Sequence, residues 1–233
     1  TQTASPRPHI PRVGDKIWAI ITQFCTTGRY TDIRRQLQAA ADARAIFTKI
    51  IGVGDATADA WVNAGIHSLD DLRVEVEAKR IALSHVQALG LKYYEDLNTR
   101  IPRAEVEHIT KALSPAIIDA AHPVKGPIVV GSWRRGSADS GDIDLLIACD
   151  GSWQANGSYV NTSCSIKAIE RAVTDRSLLL SSGTSRLSFL YRSWVYMRQV
   201  DILVAPAAEY GAALLYFTGD WEFNESMRRY AKK

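Results

Sequence analysis

Gly131-Ser132-Trp133-Arg134-Arg135-Gly136-Ser137-Ala138-Asp139-Ser140-Gly141-Asp142-Ile143-Asp144-Leu145-Leu146-Ile147 joins a glycine-serine turn to two aspartates one residue apart, at the head of an apolar run. Just upstream, Pro127-Ile128-Val129-Val130 is a short β-branched run that ends at Gly131-Ser132, as a buried strand does on entering a turn. A turn that opens a helix presents unpaired N–H groups. With the Ser132 hydroxyl and the guanidiniums of Arg134 and Arg135, this one predicts a cradle for polyphosphate oxygens. Asp142 to Ile147 reads as a strand, and side chains two apart on a strand share a face, so both carboxylates are expected in one cleft. Neighbouring carboxylates repel and hold a proton at neutral pH unless a cation lies between them; oxygen-only donors suggest Mg²⁺. Without the turn and the arginines, the same Asp-x-Asp would read as two acids at a strand end with no metal.

Two carboxylates seldom complete a two-metal site, so a third is expected on a nearby strand. Asp201 is the candidate, inside Met197-Arg198-Gln199-Val200-Asp201-Ile202-Leu203-Val204, where a lone charge in an apolar run is expensive unless paired or metal-bound. Three such acids could hold two cations about 4 Å apart, one activating a hydroxyl and the other gripping a triphosphate. The chemistry predicted is nucleotidyl transfer.

The segment from Gly131 to Ile147 resembles the palm motif of the family X DNA polymerases, the group of polymerases beta, lambda and mu and terminal deoxynucleotidyltransferase. Leu89-Gly90-Leu91-Lys92-Tyr93-Tyr94-Glu95-Asp96 with Arg100-Ile101-Pro102-Arg103 resembles the family's link from fingers to palm. Leu215-Tyr216-Phe217-Thr218-Gly219, Phe223-Asn224 and Met227-Arg228 resemble the start of its thumb. The resemblance implies an α+β chain with four parts: a remnant of an N-terminal lyase-like domain with a first helix-hairpin-helix (1–40), fingers with a second (41–101), a catalytic palm of mixed β-sheet under helices (102–209), and a truncated start of the thumb (210–233). It leaves open whether the stop at Lys233 is natural.

By the same resemblance, Asp142, Asp144 and Asp201 bind two Mg²⁺, with Mn²⁺ as a substitute, while Arg103, Gly131, Ser132, Arg135 and Gly141 serve the triphosphate. Tyr216, Phe217, Thr218 and Gly219 would form the sugar pocket, with Trp221 and Asn224 near the incoming base. Arg228, one turn after Asn224, would touch the nascent pair in the minor groove. The bland reading of the aromatic pair is core packing. Gln199 stands where many members carry an arginine, which puts primer-terminus positioning in doubt. The implied function is DNA-directed DNA synthesis from a primer 3′-hydroxyl with deoxynucleoside triphosphates, on gapped or broken-end DNA during repair, by a nuclear monomer. The alternatives are a template-independent terminal nucleotidyltransferase and a non-catalytic DNA-end binding module. The trio argues against the last, because a pure binder has no reason to gather negative charge beside a phosphate backbone.

Ahead of the palm lies a weak internal repeat, Ile10-Pro11-Arg12-Val13-Gly14-Asp15-Lys16 against Ile50-Ile51-Gly52-Val53-Gly54-Asp55-Ala56. Gly52 and Gly54 permit a tight turn between helices, which can offer main-chain N–H groups to a DNA phosphate without reading bases. A glycine turn between packed helices looks the same. The resemblance makes Gly52, Val53, Gly54 and Ala56, with Gly14 and Lys16 of the first copy, DNA contacts, and implies a monovalent cation at the second hairpin. Arg12 replaces the first hairpin glycine of the first copy. The position matching the family's Schiff-base lysine is Ile20, which forms no imine, so lyase activity is expected to be absent. Ser68-Leu69-Asp70-Asp71 has capping-box spacing for a further helix.

Composition permits this reading. A chain of 233 residues with 46% hydrophobic and 23% charged residues buries a core. A net charge of +3 is too small to argue nucleic-acid binding from bulk charge, so local sites must carry it. Cys25, Cys149 and Cys164 lack Cys-x-x-Cys spacing and suit free thiols in a reducing compartment. His9, His67, His85, His108 and His122 show no zinc-ligand spacing, no run reaches membrane-span length, and the polar start is no secretory signal. A tight hairpin is expected around Arg192-Ser193-Trp194, leaving a template position open. Ser152 to Ser158 is the expected mobile loop, and Ile166 to Val173 a covering helix.

Overall fold

Alternating apolar residues in three strand-like runs and a period near four in two helical runs lead directly to the architecture seen in the computed structural model. It describes residues 10–232 except 12, 29, 154–158, 162 and 163. Packing divides the chain into a unit up to Gln87 and a unit from Ala88 onward. The segment just before the expected palm packs with the second unit. The guanidinium of Arg198 donates to the carbonyls of Asp96 and Thr99, and the Met197 N–H donates to the Asp96 carboxylate.

The first unit is helical: α1 (Asp15–Thr27), α2 (Tyr30–Phe47), α3 (Asp55–Asn63), α4 (Leu69–Glu77) and the start of α5 (His85–Lys92). Phe47, Ile50, Val53, Ala58, Trp61 and Leu72 are buried, with the rings of Phe47 and Trp61 edge-to-face at 5.5 Å. The capping reading of α4 holds: Ser68 accepts from the Asp71 N–H, and Asp71 in turn accepts from the N–H of His67. That exchange and the His67 contact also hold the Asp71 carboxyl below the usual range.

In the second unit, after α6 (Tyr94–Asn98), β1 (Ile101–Pro102) pairs with β3 (Asp139–Ser140), and α7 (Arg103–Ala121) leads into β2 (Lys125–Val129) and the single turn of α8 (Gly131–Arg134). β4 (Ile143–Cys149), α9 (Ile166–Val173), β7 (Ser177–Ser182), β8 (Arg186–Ser193) and β9 (Tyr196–Pro206) follow, separated after β4 by the small hairpin of β5 (Gly151–Trp153) and β6 (Tyr159–Asn161). Ser152 and Trp153 of the expected mobile loop thus belong to β5, and its residues 154–158 lie outside the described ones. The main sheet runs β2-β4-β9-β8-β7, with β4 and β9 parallel and the other pairs antiparallel. α10 (Tyr210–Thr218) and α11 (Trp221–Ala231) close the chain, the latter capped by Asp220 accepting from the Phe223 N–H.

One face of this sheet is core. Ile143, Leu145, Ile147, Leu187, Phe189, Val200 and Ile202 meet Val106, Ile109, Leu113 and Ile117 of α7 and Ile166, Ile169 and Val173 of α9. The helical spacing of each set is what lays both helices on the sheet, and Lys167 and Arg171 of α9 stay exposed as the sequence predicts. Beneath α7, the buried pair Arg198–Glu105 is bidentate at 3.0 and 2.9 Å. A buried ion pair is tolerable only when its donors are satisfied, and this guanidinium fills its remaining valences with the two carbonyls of Asp96 and Thr99.

Two sequence expectations change here. Cys149 and Cys164 are bonded to each other, with Cα atoms 5.8 Å apart, because β4 ends beside the entry to α9; only Cys25 is a free, exposed thiol. The turn between β8 and β9 is two residues, Trp194-Val195, with Trp194 at φ 43°, and Ser193 pairs with Tyr196.

Candidate active site

The opposite face of the sheet carries the chemistry. β4 and β9 run parallel with Asp144 directly beside Asp201, and Asp142 lies just before β4. Ligand oxygens of Asp142, Asp144 and Asp201 all lie within 4.8 Å of one another, and this is the one such cluster among the described residues. Burial, followed by the Asp142 and Asp201 charges, pushes the Asp144 carboxyl up to about 7. Burial and then Asp201 raise Asp142, opposed by Arg186 and Arg100. Three oxygen donors crowded together in a partly buried cleft fit hard divalent cations such as Mg²⁺, which relieve the repulsion between them. Magnesium or manganese would be held by these three carboxylates.

Asp201 is fully buried, and both of its carboxylate oxygens accept hydrogen bonds. Its Oδ1 accepts a short bond from the Ser188 hydroxyl, and its Oδ2 accepts from Arg186 at 2.6 Å and Gln199 at 3.2 Å. Neither Ser188 nor Arg186 is foreseeable from sequence, since both reach Asp201 through the β8–β9 register, Ser188 opposite Asp201.

The turn before α8 explains its glycine. Gly131 has φ 63°, a conformation L side chains rarely adopt, and a Cβ there would sit 2.8 Å from Asp144 Oδ2. Ser132 donates to buried Ser140 at 3.1 Å. Arg103, expected at the triphosphate, lies against the same turn. Its guanidinium stacks on Trp133 at 3.9 Å and donates to the carbonyls of Trp133 and Ser137, which holds the turn in shape. The arginine beside Gly141 is Arg100, whose Nη1 is 3.2 Å from where a Cβ of Gly141 would lie and which is paired with Asp139 at 2.8 Å. β1–β3 pairing, a non-local contact, makes that choice.

A cleft of about 410 Å³ opens here, lined by Arg135, Asp144, Arg186, Leu203, Tyr216, Phe217, Gly219, Asp220, Trp221 and Asn224. It unites the residues singled out in the palm and in the thumb start. Arg135 donates to the Thr218 carbonyl at 2.7 Å, and Tyr216 and Phe217 meet edge-to-face at 5.1 Å. Asn224 donates to the Tyr216 carbonyl while Arg228 donates to its hydroxyl. The buried Oδ1 of Asn224 has no hydrogen-bond partner among the described residues, and Trp221 is 71% exposed at the mouth. The hairpin turn beside the trio is the one between β7 and β8, where Val204 N–H donates to the Ser185 carbonyl, rather than the Trp194 turn at the far end of the same strands.

In the first unit, Gly52 takes φ 82°; Gly52 and Gly54 are exposed between α2 and α3, and Ala56 is exposed in the first turn of α3, whose start has no side-chain cap. Val53 differs from them: its side chain is buried and its N–H is donated to the Ile50 carbonyl, so it supports the turn from inside. Of the first copy, Gly14 precedes α1 and Lys16 is exposed, whereas Arg12 lies outside the described residues.

A turn, an acidic trio and a covering pair of helices on this sheet define a polymerase-type nucleotidyltransferase palm. Comparison with known proteins agrees: residues 45–98 match the fingers domain of DNA polymerase lambda, and residues 100–207 match the DNA polymerase beta palm. The chain is 30% identical to DNA polymerase lambda of Rattus norvegicus over 231 residues, covering 96% of this chain and 38% of that protein. It is 26% identical to DNA nucleotidylexotransferase of Xenopus laevis, covering 95% and 50%. It is 25% identical to DNA-directed DNA/RNA polymerase mu of Homo sapiens, covering 99% and 52%. The chain therefore spans about half or less of the length of these relatives. It belongs to the family X DNA polymerases.

Proposed function

We propose that this chain carries out template-directed addition of deoxynucleotides to a primer 3′-hydroxyl, in short gaps or at broken DNA ends, in the nucleus. The observation that carries the reading is the single cleft in which Asp144 faces the Tyr216–Phe217 pair, Arg135 and Asn224. Asp142 and Asp144 hold the triphosphate side of the metal site, and Asp201, deepest of the three, takes the side of the primer hydroxyl. Two divalent cations, when bound, supply a lowered hydroxyl pKa and neutralise charge on the triphosphate. Arg100 and Ser132, on either side of Gly141 and Gly131, orient phosphate oxygens, while Arg135 ties the cradle to Thr218. Tyr216 crowds the sugar edge, Trp221 stacks on the incoming base, and Asn224 with Arg228 reaches the minor groove of the nascent pair.

The hairpin at Gly52–Ala56 holds a DNA phosphate through main-chain N–H groups, with a monovalent cation assisting. Ile20 on α1 offers no amine for an imine, so the first copy supplies no lyase chemistry. Incubation with a one-nucleotide gapped duplex, Mg²⁺ and a single deoxynucleotide tests the whole reading against blunt, single-stranded and ribonucleotide controls. Extension only by the templated base supports it. Equal extension of the single strand with any nucleotide would replace it with terminal transfer, and DNA binding without extension would leave an end-binding module.

A further inference from the structure

We infer that Arg186 is a resident counter-ion of the acidic trio, which competes with divalent cations for Asp201 and so sets how much metal the site requires. The inference rests on the reading of the trio as a metal site. Asp201 lies fully buried with two acids beside it, an arrangement that is costly without a cation. The cation comes from the neighbouring strand: alternation along β8 puts Arg186 and Ser188 on the open face, and Arg186 Nη2 reaches Asp201 Oδ2 at 2.6 Å. Gln199 reaches the same oxygen from Asp201's own strand but brings no charge.

The pair is lopsided, with an Asp201 side chain wholly inaccessible and an Arg186 side chain 56% exposed. The acid therefore cannot leave, whereas the long guanidinium arm can swing into solvent at little cost. Oδ2 already accepts two bonds, so an ion that takes it displaces a donor. An ion that takes Oδ1 instead, beside Ser188, still arrives within a few ångström of a fixed positive charge. Arg186 also lines the cleft together with Asp144, and the ligand oxygens of Asp142 and Asp144 lie within 4.8 Å of those of Asp201, so its charge is felt at all three. One guanidinium thus steadies all three acids while the metal is away and resists its entry.

Mn²⁺ binding to the full chain without DNA or nucleotide, followed by the electron paramagnetic resonance of the free ion, tests this. Arg186→Gln should bind Mn²⁺ about three- to fivefold more tightly, the upper part of the range expected for a half-exposed charge pair. Arg186→Lys, which keeps the charge, should stay within about twofold of the unaltered protein. The metal-free melting temperature of Arg186→Gln should fall and Mn²⁺ should restore more of it than in the unaltered protein; a merely structural arginine would lower the melting temperature without tightening the ion. Should Arg186→Gln not fold, Arg186→Met supplies the same comparison. Unchanged or weaker Mn²⁺ binding overturns the inference. If the unaltered protein binds Mn²⁺ and Asp144→Asn does not, that failure belongs to Arg186 alone; no Mn²⁺ binding by the unaltered protein removes the metal-site reading with it.

Discussion

The two faces of the five-stranded sheet are built from the same three strands yet obey opposite rules. On one, Ile143, Leu145, Phe189, Val200 and Ile202 pack under α7 and α9 with almost no exposure. On the other, one residue away along each strand, sit Asp144, Ser188 and Asp201. A strand's period of two lets a single segment serve both, so the rigidity of the packed face is transmitted directly to the carboxylates. Around the trio stability and chemistry thus fall on alternate residues, while further along the same strands Leu146, Leu203 and Ala205 make the second face apolar again under α10, and substitutions at the trio and on the packed face should fail in different ways.

The largest effect is expected on the charged face. Asp144→Asn or Asp201→Asn should lower primer extension by at least about a thousandfold, the scale of losing one transition-state charge contact, with gapped-DNA binding retained. Extension within tenfold of the unaltered protein, measured in single turnover, would reject the assignment. Gly131→Ala comes next, because a Cβ 2.8 Å from Asp144 Oδ2 at φ 63° must push the carboxylate or the turn. We expect about a hundredfold loss of extension, as for an ångström-scale misplacement of a reacting group, with only a modest change in melting temperature. A variant of normal activity would show that the turn yields without moving Asp144.

On the packed face, Phe189→Ala should cost about 3–5 kcal/mol in denaturant unfolding while leaving Mn²⁺ affinity of the folded fraction unchanged. A matching loss of metal affinity would mean the faces are not separable. The smallest effect is the pH dependence of metal-free stability. Asp144 has a folded pKa of about 7, above its unfolded value near 4, so the folded state binds a proton that the unfolded state releases. That contribution is fully present below about pH 4 and is lost as pH rises towards 7. The metal-free melting temperature should therefore decline across that window from this group, and Mg²⁺ should raise it more at pH 8 than at pH 5. An equal Mg²⁺ gain at both values would remove the link between proton and metal.

Much of the site was legible because its signals are local. Gly131-Ser132, Asp142-x-Asp144 and the acid inside Val200-Asp201-Ile202 each announce themselves within a few residues, and the Ser68–Asp71 cap does the same for α4. Arg103 shows where local reading stops. It and Arg100 flank the same short motif, and only the pairing of β1 with β3 turns Arg100 toward Gly141 and Arg103 onto Trp133. Arg186 carries no motif at all. The bond between Cys149 and Cys164 escaped spacing rules because β4 and the entry to α9 meet only after the sheet has formed.

By itself, then, the sequence determined which residues are acids, turns and core, since hydrophobic periodicity and backbone preference act over a handful of neighbours. The tertiary structure alone decided which charges meet. Strand register sets Arg186 and Ser188 against Asp201, and the packing of α7 on the sheet buries Arg198 against Glu105; both depend on segments far apart in the chain.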